Sequence, residues 1–404
     1  MGARFVFAPD GDFNESTEDI ALLTIDGLFR ATYKKYQREN DASPRGNTSA
    51  APGKGIATSR TGIASWRCIF ICLALLAGCA KEPIYRQQSY VFGTLVEVTI
   101  WGENDARAQE LTGKVLREFD RMHKEFHAWQ PSELTKVNAA IAKGEAVNTT
   151  PELAAMLQDA AQFSGKAGGF NPAIGKLIAL WGFQSDEFKP VVPDAKQVES
   201  LTKSKPSLAD LKIDGVTITS KNRDVQIDLG GYAKGYALDR AIDILKKEGT
   251  QNALINIGGN IIALGERGNR PWKIGIQHPR KPSAIAVMEL YNGEAIGTSG
   301  DYQRFFEKDG KRYCHIIDPA TGAPVQGVQS VTVVAQRGAN AGVMSDVASK
   351  PIFVASADKW RDAAQAMAIE LVMRVDDKGA VAVTPLMTKR LTFEDKDLVV
   401  KEIP

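Results

Sequence analysis

The stretch DLGGYAKGYALDRA, from Asp228 to Ala241, places an acidic residue, two glycines and a lysine where a predicted strand meets a predicted helix. Apolar residues recur at helical spacing as far as Lys247, and Gly249 is suited to end the helix. The junction therefore predicts a helix whose first turn follows a Gly-Gly pair.

Lys234 falls in the first turn of that helix, where the backbone N–H groups carry a partial positive charge. A second positive charge is unfavourable there unless an anion lies close by. Gly230 and Gly231 permit a close approach of the backbone to a ligand, as in phosphate-binding turns. Two interpretations stay open at this point: a phosphate-binding turn, or an ordinary glycine turn beside a solvated lysine.

The composition is that of a globular protein. The chain has 404 residues, of which 44% are hydrophobic and 24% charged, which is ample for a buried core. The formal net charge is +2, and no run rich in lysine and arginine is present. These features argue against a dedicated nucleic-acid binder.

One N-terminal segment, SRTGIASWRCIFICLALLAGCAKEP, has the pattern of an export signal. Basic residues precede an apolar run, Cys68–Ala77, of about ten residues, roughly half of the ~20 needed to cross a bilayer. A short buried helix is the alternative interpretation. The run ends in Leu-Ala-Gly-Cys79, which resembles a bacterial lipobox and implies that Cys79 is lipidated and becomes the mature N-terminus.

We therefore expect three segments: a polar leader or mis-assigned start over residues 1–59, a lipoprotein signal peptide over residues 60–79, and a single domain over residues 84–404. The predicted location is the bacterial cell envelope, with a lipid anchor and the domain facing the periplasm or the outside. Only Cys314 remains in the domain, which excludes an internal disulfide there. We predict that Cys314 is a strand residue and not a nucleophile.

The remaining patterns mix hairpins with helices, which favours an α+β fold with largely antiparallel sheets over a doubly wound parallel sheet. The segment 183–210, rich in Pro, Ser and Lys, is predicted to be a surface excursion. The predicted strands and hairpins are 90–101, 216–231, 253–265, 272–277, 313–318 and 370–385. The predicted helices are 106–126, 151–164, 232–247, 339–349 and 357–367.

The order of motifs along the chain resembles the FAD:protein FMN transferase family, the ApbE-type flavin transferases. The resemblance covers almost the whole predicted domain, and its most specific part is the block from Thr298 to Gly322. The matching stretches are FGT (92–94), SELTKVN (132–138), GGFNPAIGKLIALWGF (168–183), DLGGYAKGYALDRA (228–241), ALINIGGNI (253–261), WKIGIQHP (272–279), GTSGDYQRFFEKDGKRYCHIIDPATGAP (297–324) and MSDVASK (344–350).

The resemblance implies an ApbE-type fold and a phosphoryl transfer. A Thr or Ser hydroxyl of a target protein attacks the FMN-side phosphorus of FAD, AMP leaves, and FMN stays attached. Such chemistry needs in-line positioning and neutralisation of charge. The acceptor implied is a Thr/Ser-Gly-Ala-Thr/Ser-type motif in a membrane redox protein. Two alternatives are a non-catalytic FAD-binding lipoprotein that delivers flavin and a Mg²⁺-dependent enzyme that hydrolyses FAD.

The resemblance also assigns roles to single residues. His315 is the candidate base, with Asp228 as a second catalytic candidate. From the residues alone, Phe92 and Trp129 can equally be core residues, and His315 can be structural. The positions implied to contact FAD are Phe92 (usually Met in the family), Trp129, Gly169, Phe170, Asn171 (more often Asp), Asp228, Lys234 and Ile317.

The family's metal motif is changed in this chain. The resemblance implies that the Gly231 carbonyl and Asp346 hold Mg²⁺ together with a threonine four residues after the aspartate, but Lys350 stands at that position. Mg²⁺ requires oxygen ligands, which an ammonium group cannot supply. We therefore expect weak Mg²⁺ dependence. His123 and His127 lie four apart on a predicted helix without a third ligand, and they are predicted not to bind metal.

Overall fold

A computed structural model of the protein describes residues 21–22, 83–185 and 190–404. The predicted signal segment with Cys79 and almost all of the predicted leader lie outside these residues. All of the described residues except Pro83 and Ile84 belong to one compact unit. Within the described ranges, no helix is both long and apolar enough to cross a membrane.

Strands and helices alternate irregularly along the described chain. The strands are β1 Ala21–Leu22, β2 Ile84–Val91, β3 Thr94–Trp101, β4 Val147–Asn148, β5 Leu211–Asp214, β6 Thr217–Ser220, β7 Asn252–Ile257, β8 Asn260–Leu264, β9 Trp272–Gln277, β10 Ala284–Leu290, β11 Ala295–Gly300, β12 Phe305–Lys308, β13 Lys311–Cys314, β14 Val328–Ala335, β15 Leu371–Asp376, β16 Val381–Val383, β17 Leu391–Phe393 and β18 Val400–Glu402. The helices are α1 Asp105–Glu125, α2 Glu133–Lys143, α3 Pro151–Phe163, α4 Gly175–Leu180, α5 Ala195–Lys203, α6 Ala233–Lys247, α7 Ala341–Val354, α8 Trp360–Ala366 and α9 Pro385–Thr388.

A nine-stranded sheet organises the domain, in the order β18-β16-β15-β14-β11-β8-β7-β3-β2. Pairings from β3 to β16 are antiparallel, and β16 pairs with β18 in parallel. A four-stranded sheet has the order β1-β9-β10-β17. Helices and largely antiparallel sheets confirm the predicted α+β class.

Both faces of the large sheet are buried, which explains the nearly continuous apolar runs in its strands. In β7, Ile255 and Ile257 join the core shared with α1, α6 and α7. Leu254, which precedes Ile255 and points to the opposite face of the sheet, joins a second core formed with β9 and β10. The domain is therefore built in three layers, with helices on one side of the large sheet and the four-stranded sheet on the other.

The predicted single strand over 90–101 is wrong, because the chain reverses direction inside it. Phe92 (φ 56°) and Gly93 (φ 69°) form a two-residue turn between β2 and β3. Positive φ at both turn positions matches the twist of a hairpin. The β-branched and aromatic residues on both sides of the turn concealed it in the sequence.

The predicted hairpin over 216–231 is also wrong. Strand β6 pairs with β5 and β4, and most of the segment after it forms no regular ladder. The Ile227 N–H instead donates to Asn138 Oδ1 at 2.7 Å, and the Asp228 N–H donates to the Pro172 carbonyl at 2.8 Å. Tertiary partners thus replace the strand partner that the alternation of apolar residues had suggested.

The predicted strand over 313–318 is shorter than expected, since β13 ends at Cys314. His315 lies just beyond it, and Ile317 forms an isolated bridge with Pro324. The predicted common strand face of Tyr313, His315 and Ile317 is therefore not formed.

The other predicted elements are confirmed with small shifts of their ends: the helices near 106–126, 151–164, 232–247, 339–349 and 357–367, and the hairpin of β15 and β16. Helix α2 was not predicted, although Ser132 and Thr135 form a capping box that marks its start. The predicted excursion over 183–210 contains α5 and a short 3₁₀ turn, Leu208–Asp210. Cys314 is a buried strand residue, as predicted.

Candidate active site

The turn that precedes helix α6 is held by Asp228. One oxygen of its carboxylate accepts the Gly230 N–H at 2.9 Å, and the other accepts from Gln184 Nε2 at 3.3 Å. Tyr232, the residue before the helix, makes no side-chain capping bond within the described part of the chain. The carboxylate of Asp228 therefore shapes the glycine turn and leaves the start of the helix without a side-chain cap.

Helices α6 and α7 cross with their backbones in contact. A Cβ atom on Gly235 would lie 2.4 Å from the Gly342 carbonyl oxygen, and one on Gly342 would lie 2.4 Å from the Gly235 carbonyl oxygen. Asp239 accepts the N–H groups of Gly342 and Val343 at 2.8 and 2.9 Å, which caps α7 from the neighbouring helix. This close crossing brings the first turn of α6 next to the middle of α7.

Asp346, on α7, is the buried carboxylate of the site. Its side chain has no solvent exposure, and its Oδ2 accepts the Gly235 N–H at 3.0 Å. Lys350, one turn later, donates from Nζ to Asp346 Oδ1 and, at 2.7 Å, to the Asp346 carbonyl oxygen. Both oxygens of the carboxylate are therefore engaged by donors of the chain itself.

The cations around Asp346 keep it ionised. Burial raises the pKa of this carboxyl, but the Lys350 and Lys234 ammonium groups, with hydrogen bonds from Lys350 and the Gly235 N–H, outweigh burial and hold the pKa below its usual range. Both lysines therefore act on the same buried carboxylate.

The stem of Lys350 passes beside the glycine turn. A Cβ atom on Gly231 would lie 3.2 Å from Lys350 Cε and 3.5 Å from a ring carbon of Phe170. The neighbouring Gly169 packs on α7, because a Cβ there would lie 2.6 Å from Pro351 Cα. The segment Gly169–Phe170, the turn before α6 and the middle of α7 thus form one continuous surface.

His315 belongs to the same cluster. Burial and the charges of Arg304, Lys234 and Lys350 lower its pKa to about 3, so the imidazole is neutral at physiological pH. Its Nδ1 lies 3.1 Å from the Arg304 carbonyl oxygen, which can only accept. We infer that Nδ1 carries the proton, which leaves Nε2 as the basic nitrogen.

Trp129 lies at the edge of the site, next to Arg304 and a groove. The Arg304 guanidinium lies 5.6 Å from the centroid of its ring, and Arg304 also donates to the Phe183 carbonyl at 2.8 Å. A groove of about 340 Å³ is lined by Trp129, Asn138 and Gln184 among others. Because Gln184 also donates to Asp228, the groove borders the glycine turn.

The structure thus brings together most of the residues singled out in the sequence: Trp129, Gly169, Phe170, Asp228, Gly231, Lys234, His315, Asp346 and Lys350. Phe92 is linked to this set through edge-to-face ring contacts, since it packs on His123, His123 on His127, and His127 on Trp129. The two histidines belong to this series of ring contacts, and among the described residues no group of three or more His, Cys, Asp or Glu is placed to hold a metal ion.

Asn171 and Ile317 have other surroundings. The Asn171 amide donates to the Pro206 carbonyl and accepts the Ala173 N–H, so both of its ends stabilise the loop. The Ile317 side chain is buried in a small core with Trp181 and Phe183. Their predicted contacts with FAD stay predictions.

Sequence reasoning did not single out Arg304 or Gln184. Arg304 lies inside the most specific motif block, but nothing in the spacing distinguishes it from the other polar residues there. Gln184 stands at the edge of the predicted excursion. Its role appears only when the fold places it between the groove and Asp228.

The cations beside the N-terminus of α6 and the groove lined by Trp129 form a site that could accommodate an anion such as a phosphate, in a protein of the α+β class. The model of the ApbE family matches residues 92–373. A Rhodobacter capsulatus protein named FAD:protein FMN transferase is 38% identical over 336 residues, which span 83% of this chain and 64% of that protein. A Vibrio cholerae protein of the same name is 30% identical over 67% of this chain and 82% of its own length.

Solved structures agree with these matches. The crystal structure of the Thermotoga maritima ApbE protein has a TM-score of 0.69 at 30% identity and covers 78% of this chain and 100% of that one. The Pseudomonas stutzeri flavinyl transferase ApbE in its apo form has a TM-score of 0.66 at 27% identity, and the match covers 76% of this chain and 97% of that one. The chain belongs to the ApbE family.

Proposed function

We propose that this chain is a flavin transferase that moves the FMN half of FAD onto a threonine or serine hydroxyl of another protein and releases AMP. The names of its relatives support this activity. The observation that carries the proposal is the meeting of Lys234, Lys350 and Arg304 between the first turn of α6 and the Trp129 groove. A diphosphate joined to flat aromatic rings has the charge and shape that such a surface accommodates.

The proposed step exchanges one bond to phosphorus for another. The acceptor oxygen forms a bond to the FMN-side phosphorus, the bond from this phosphorus to the bridging oxygen breaks, and AMP leaves with that oxygen. The hydroxyl proton passes to His315 Nε2. Lys234 and Lys350 stabilise the negative charge on the phosphate oxygens during the exchange.

His315 becomes a stronger base when FAD is bound. Its pKa is low chiefly because the imidazole is buried, and further because Arg304, Lys234 and Lys350 surround it. A bound diphosphate neutralises these charges and removes their part of the lowering, so the pKa of the imidazole rises. The same cations therefore bind the substrate and adjust the base.

Mg²⁺ does not fit the residues at its implied position. The buried carboxylate that would bind it accepts from the Lys350 ammonium and the Gly235 N–H. A magnesium ion needs near-octahedral oxygen ligands and is repelled by the adjacent ammonium. The proposed reaction therefore includes no step through a metal.

We further propose that the acceptor is a membrane redox protein with a Thr/Ser-containing motif, and that Cys79 anchors this chain to the membrane on the periplasmic or outer side. The lipobox and the apolar segment before it support the anchor. Such an anchor would hold the site next to a membrane-bound acceptor.

The test is incubation of the purified chain with FAD and a candidate acceptor, followed by mass spectrometry of the acceptor and chromatography of the nucleotides. We expect the acceptor to gain FMN and AMP to appear in equal amount. AMP and free FMN without labelled acceptor would indicate hydrolysis of FAD, and binding without either product would indicate a flavin carrier.

Lys234→Ala tests the phosphate-binding turn. We expect FAD binding to weaken by roughly 1–3 kcal/mol, the range for a charge-assisted hydrogen bond. Lys247→Ala, at the exposed far end of the same helix, is the matched control. Equal dissociation constants for Lys234→Ala and the unaltered chain would count against a diphosphate at this turn.

A further inference from the structure

At the position implied for a metal ion, the positive charge is supplied by Nζ of Lys350. Lys350 Nζ donates to the Asp346 carboxylate and to the Asp346 carbonyl oxygen on the same turn of α7. These two oxygens, with the nearby backbone of the glycine turn, are the acceptors that a divalent cation would require there. The Lys350 ammonium group donates to both of these Asp346 oxygens.

The placement of this ammonium is fixed by packing. The Lys350 side chain is 17% exposed, although most lysines on the surface of a protein extend into water. Its Cε lies beside Gly231, where any side chain on the turn would crowd it. The stem is therefore enclosed between the turn and α7, and the charge is held at the first turn of α6.

Other cations lie around the same carboxylate and the neighbouring imidazole. Asp346 is shared between Lys350, Lys234 and the Gly235 N–H. Arg304, Lys234 and Lys350 all act on the buried His315. A place where ammonium and guanidinium groups meet suits an anion with more than one negative charge.

We propose that Lys350 Nζ serves as a built-in cation that binds the diphosphate of FAD and replaces a divalent metal ion, so that the chain binds FAD and transfers FMN without metal. This inference rests on the proposed function. In the transfer, the ammonium neutralises the phosphate oxygens while the acceptor oxygen bonds to the FMN-side phosphorus and AMP departs. No proton or electron is taken from Lys350, and no additional reactant is needed.

The test compares FAD binding and FMN transfer with and without EDTA and Mg²⁺ in the unaltered chain and in the variants Lys350→Met, Lys350→Thr and Lys350→Arg. Binding is followed by titration calorimetry, and Mg²⁺ binding is titrated separately in the presence of FAD. Lys203→Met is the matched control, because Lys203 forms the same i,i+4 ion pair with Glu199 on the exposed helix α5.

We expect the unaltered chain to bind FAD equally well in EDTA and in Mg²⁺. Lys350→Met should weaken FAD binding roughly 10- to 150-fold, the range for losing a hydrogen bond to a charged group, and Mg²⁺ should not restore it. Lys350→Thr should regain affinity when Mg²⁺ is added, since its hydroxyl adds an oxygen ligand. Lys350→Arg keeps the charge and should stay independent of metal.

The proposal is overturned if EDTA lowers the FAD affinity of the unaltered chain, if that chain binds Mg²⁺ stoichiometrically with FAD, or if Lys350→Met binds FAD normally. Failure of the two proposals can be told apart. Metal-independent FAD binding without FMN transfer would remove the proposed function and keep the role of Lys350. FMN transfer that requires Mg²⁺ would keep the proposed function and remove the role of Lys350. Thermal melting of each variant shows whether a loss of binding reflects unfolding.

Discussion

Asp346 and His315 show how the same cations act on an acid and on a base. The positive charges of Lys234 and Lys350 lower the pKa of both groups. For the carboxyl this preserves the negative charge in spite of burial, and for the imidazole it preserves the neutral form. The same two lysines therefore help to keep Asp346 ionised and His315 unprotonated.

His315 is expected to make the stability of the protein depend on acid pH. Its pKa is about 3 in the folded chain, compared with 6.5 for the ordinary group, so between these values the unfolded chain binds a proton that the folded chain does not. Stability should therefore fall as the pH falls from about 6.5 toward about 3, and should not change through this group above 6.5.

Thermal melting across this pH range checks the expectation. His315→Gln, which cannot be protonated, should show a shallower loss of stability than the unaltered chain at acid pH. His278→Gln is the comparison, because the pKa of His278 is also lowered, chiefly by burial, outside the site. Parallel curves for His315→Gln and the unaltered chain would contradict a buried neutral His315.

At the scale of the elements, the site depends on how closely α6 and α7 approach each other. Gly235 and Gly342 remove the side chains from the crossing, and Asp239 on α6 caps α7. Burial raises the pKa of Asp239 to about 6, although hydrogen bonds from the backbone of α7 favour its ionised form. The two helices are thus linked by backbone contact and by one capping carboxylate.

Gly235→Ala is expected to destabilise the domain by about 1–3 kcal/mol, the usual cost of overpacking, because the added methyl group would overlap the α7 backbone. It should also weaken FAD binding, since moving the helices apart displaces Asp346 from the Gly235 N–H. Denaturant unfolding and FAD titration measure the two effects.

Gly113→Ala is the control for this substitution. A Cβ atom at Gly113, inside α1, would meet only the flexible end of Arg117 at 3.2 Å. Alanine in a helix interior is favoured over glycine by roughly 0.5–1 kcal/mol, so this variant should be slightly more stable. If both glycine variants behaved alike, close backbone contact would not be what requires Gly235.

At the scale of the whole molecule, the site draws on segments that are far apart in the chain. Trp129 follows α1, Lys234 opens α6, Arg304 precedes β12 and Lys350 lies on α7. The large sheet holds these segments in place by burying apolar side chains on both of its faces. A change in the core can therefore affect binding without touching the site.

The proposed lipid anchor at Cys79 would place the whole domain at a membrane. In a bacterium that processes lipoproteins, we expect Cys79→Ser to abolish incorporation of labelled fatty acid and to release the protein from the membrane fraction. Cys72→Ser, inside the apolar run, is the matched control and should leave both unchanged. Continued acylation and membrane retention of the Cys79→Ser chain would contradict the anchor at this residue.

Local patterns were sufficient for the fold class and for the five helices near 106–126, 151–164, 232–247, 339–349 and 357–367. Helix α6 could be predicted because its apolar spacing and Gly249 are local signals, and the family could be recognised because motifs such as DLGGYAKGYALDRA keep their order. Two features could not be predicted from local patterns: the turn at Phe92 and the backbone of residues 221–227. An alternation of apolar residues does not show where a chain turns or which acceptors its N–H groups bind.

By itself, the sequence determined the α+β class and the family, and it singled out most of the residues that the fold brings together at the candidate site. Only the tertiary structure decided what those residues do together. It placed Lys350 Nζ on Asp346, surrounded His315 with cations and put Arg304 over Trp129. The physical reason is that helix and strand periodicity depends on near neighbours in the chain, whereas burial and charge interactions depend on distances in space between groups that the fold alone brings together.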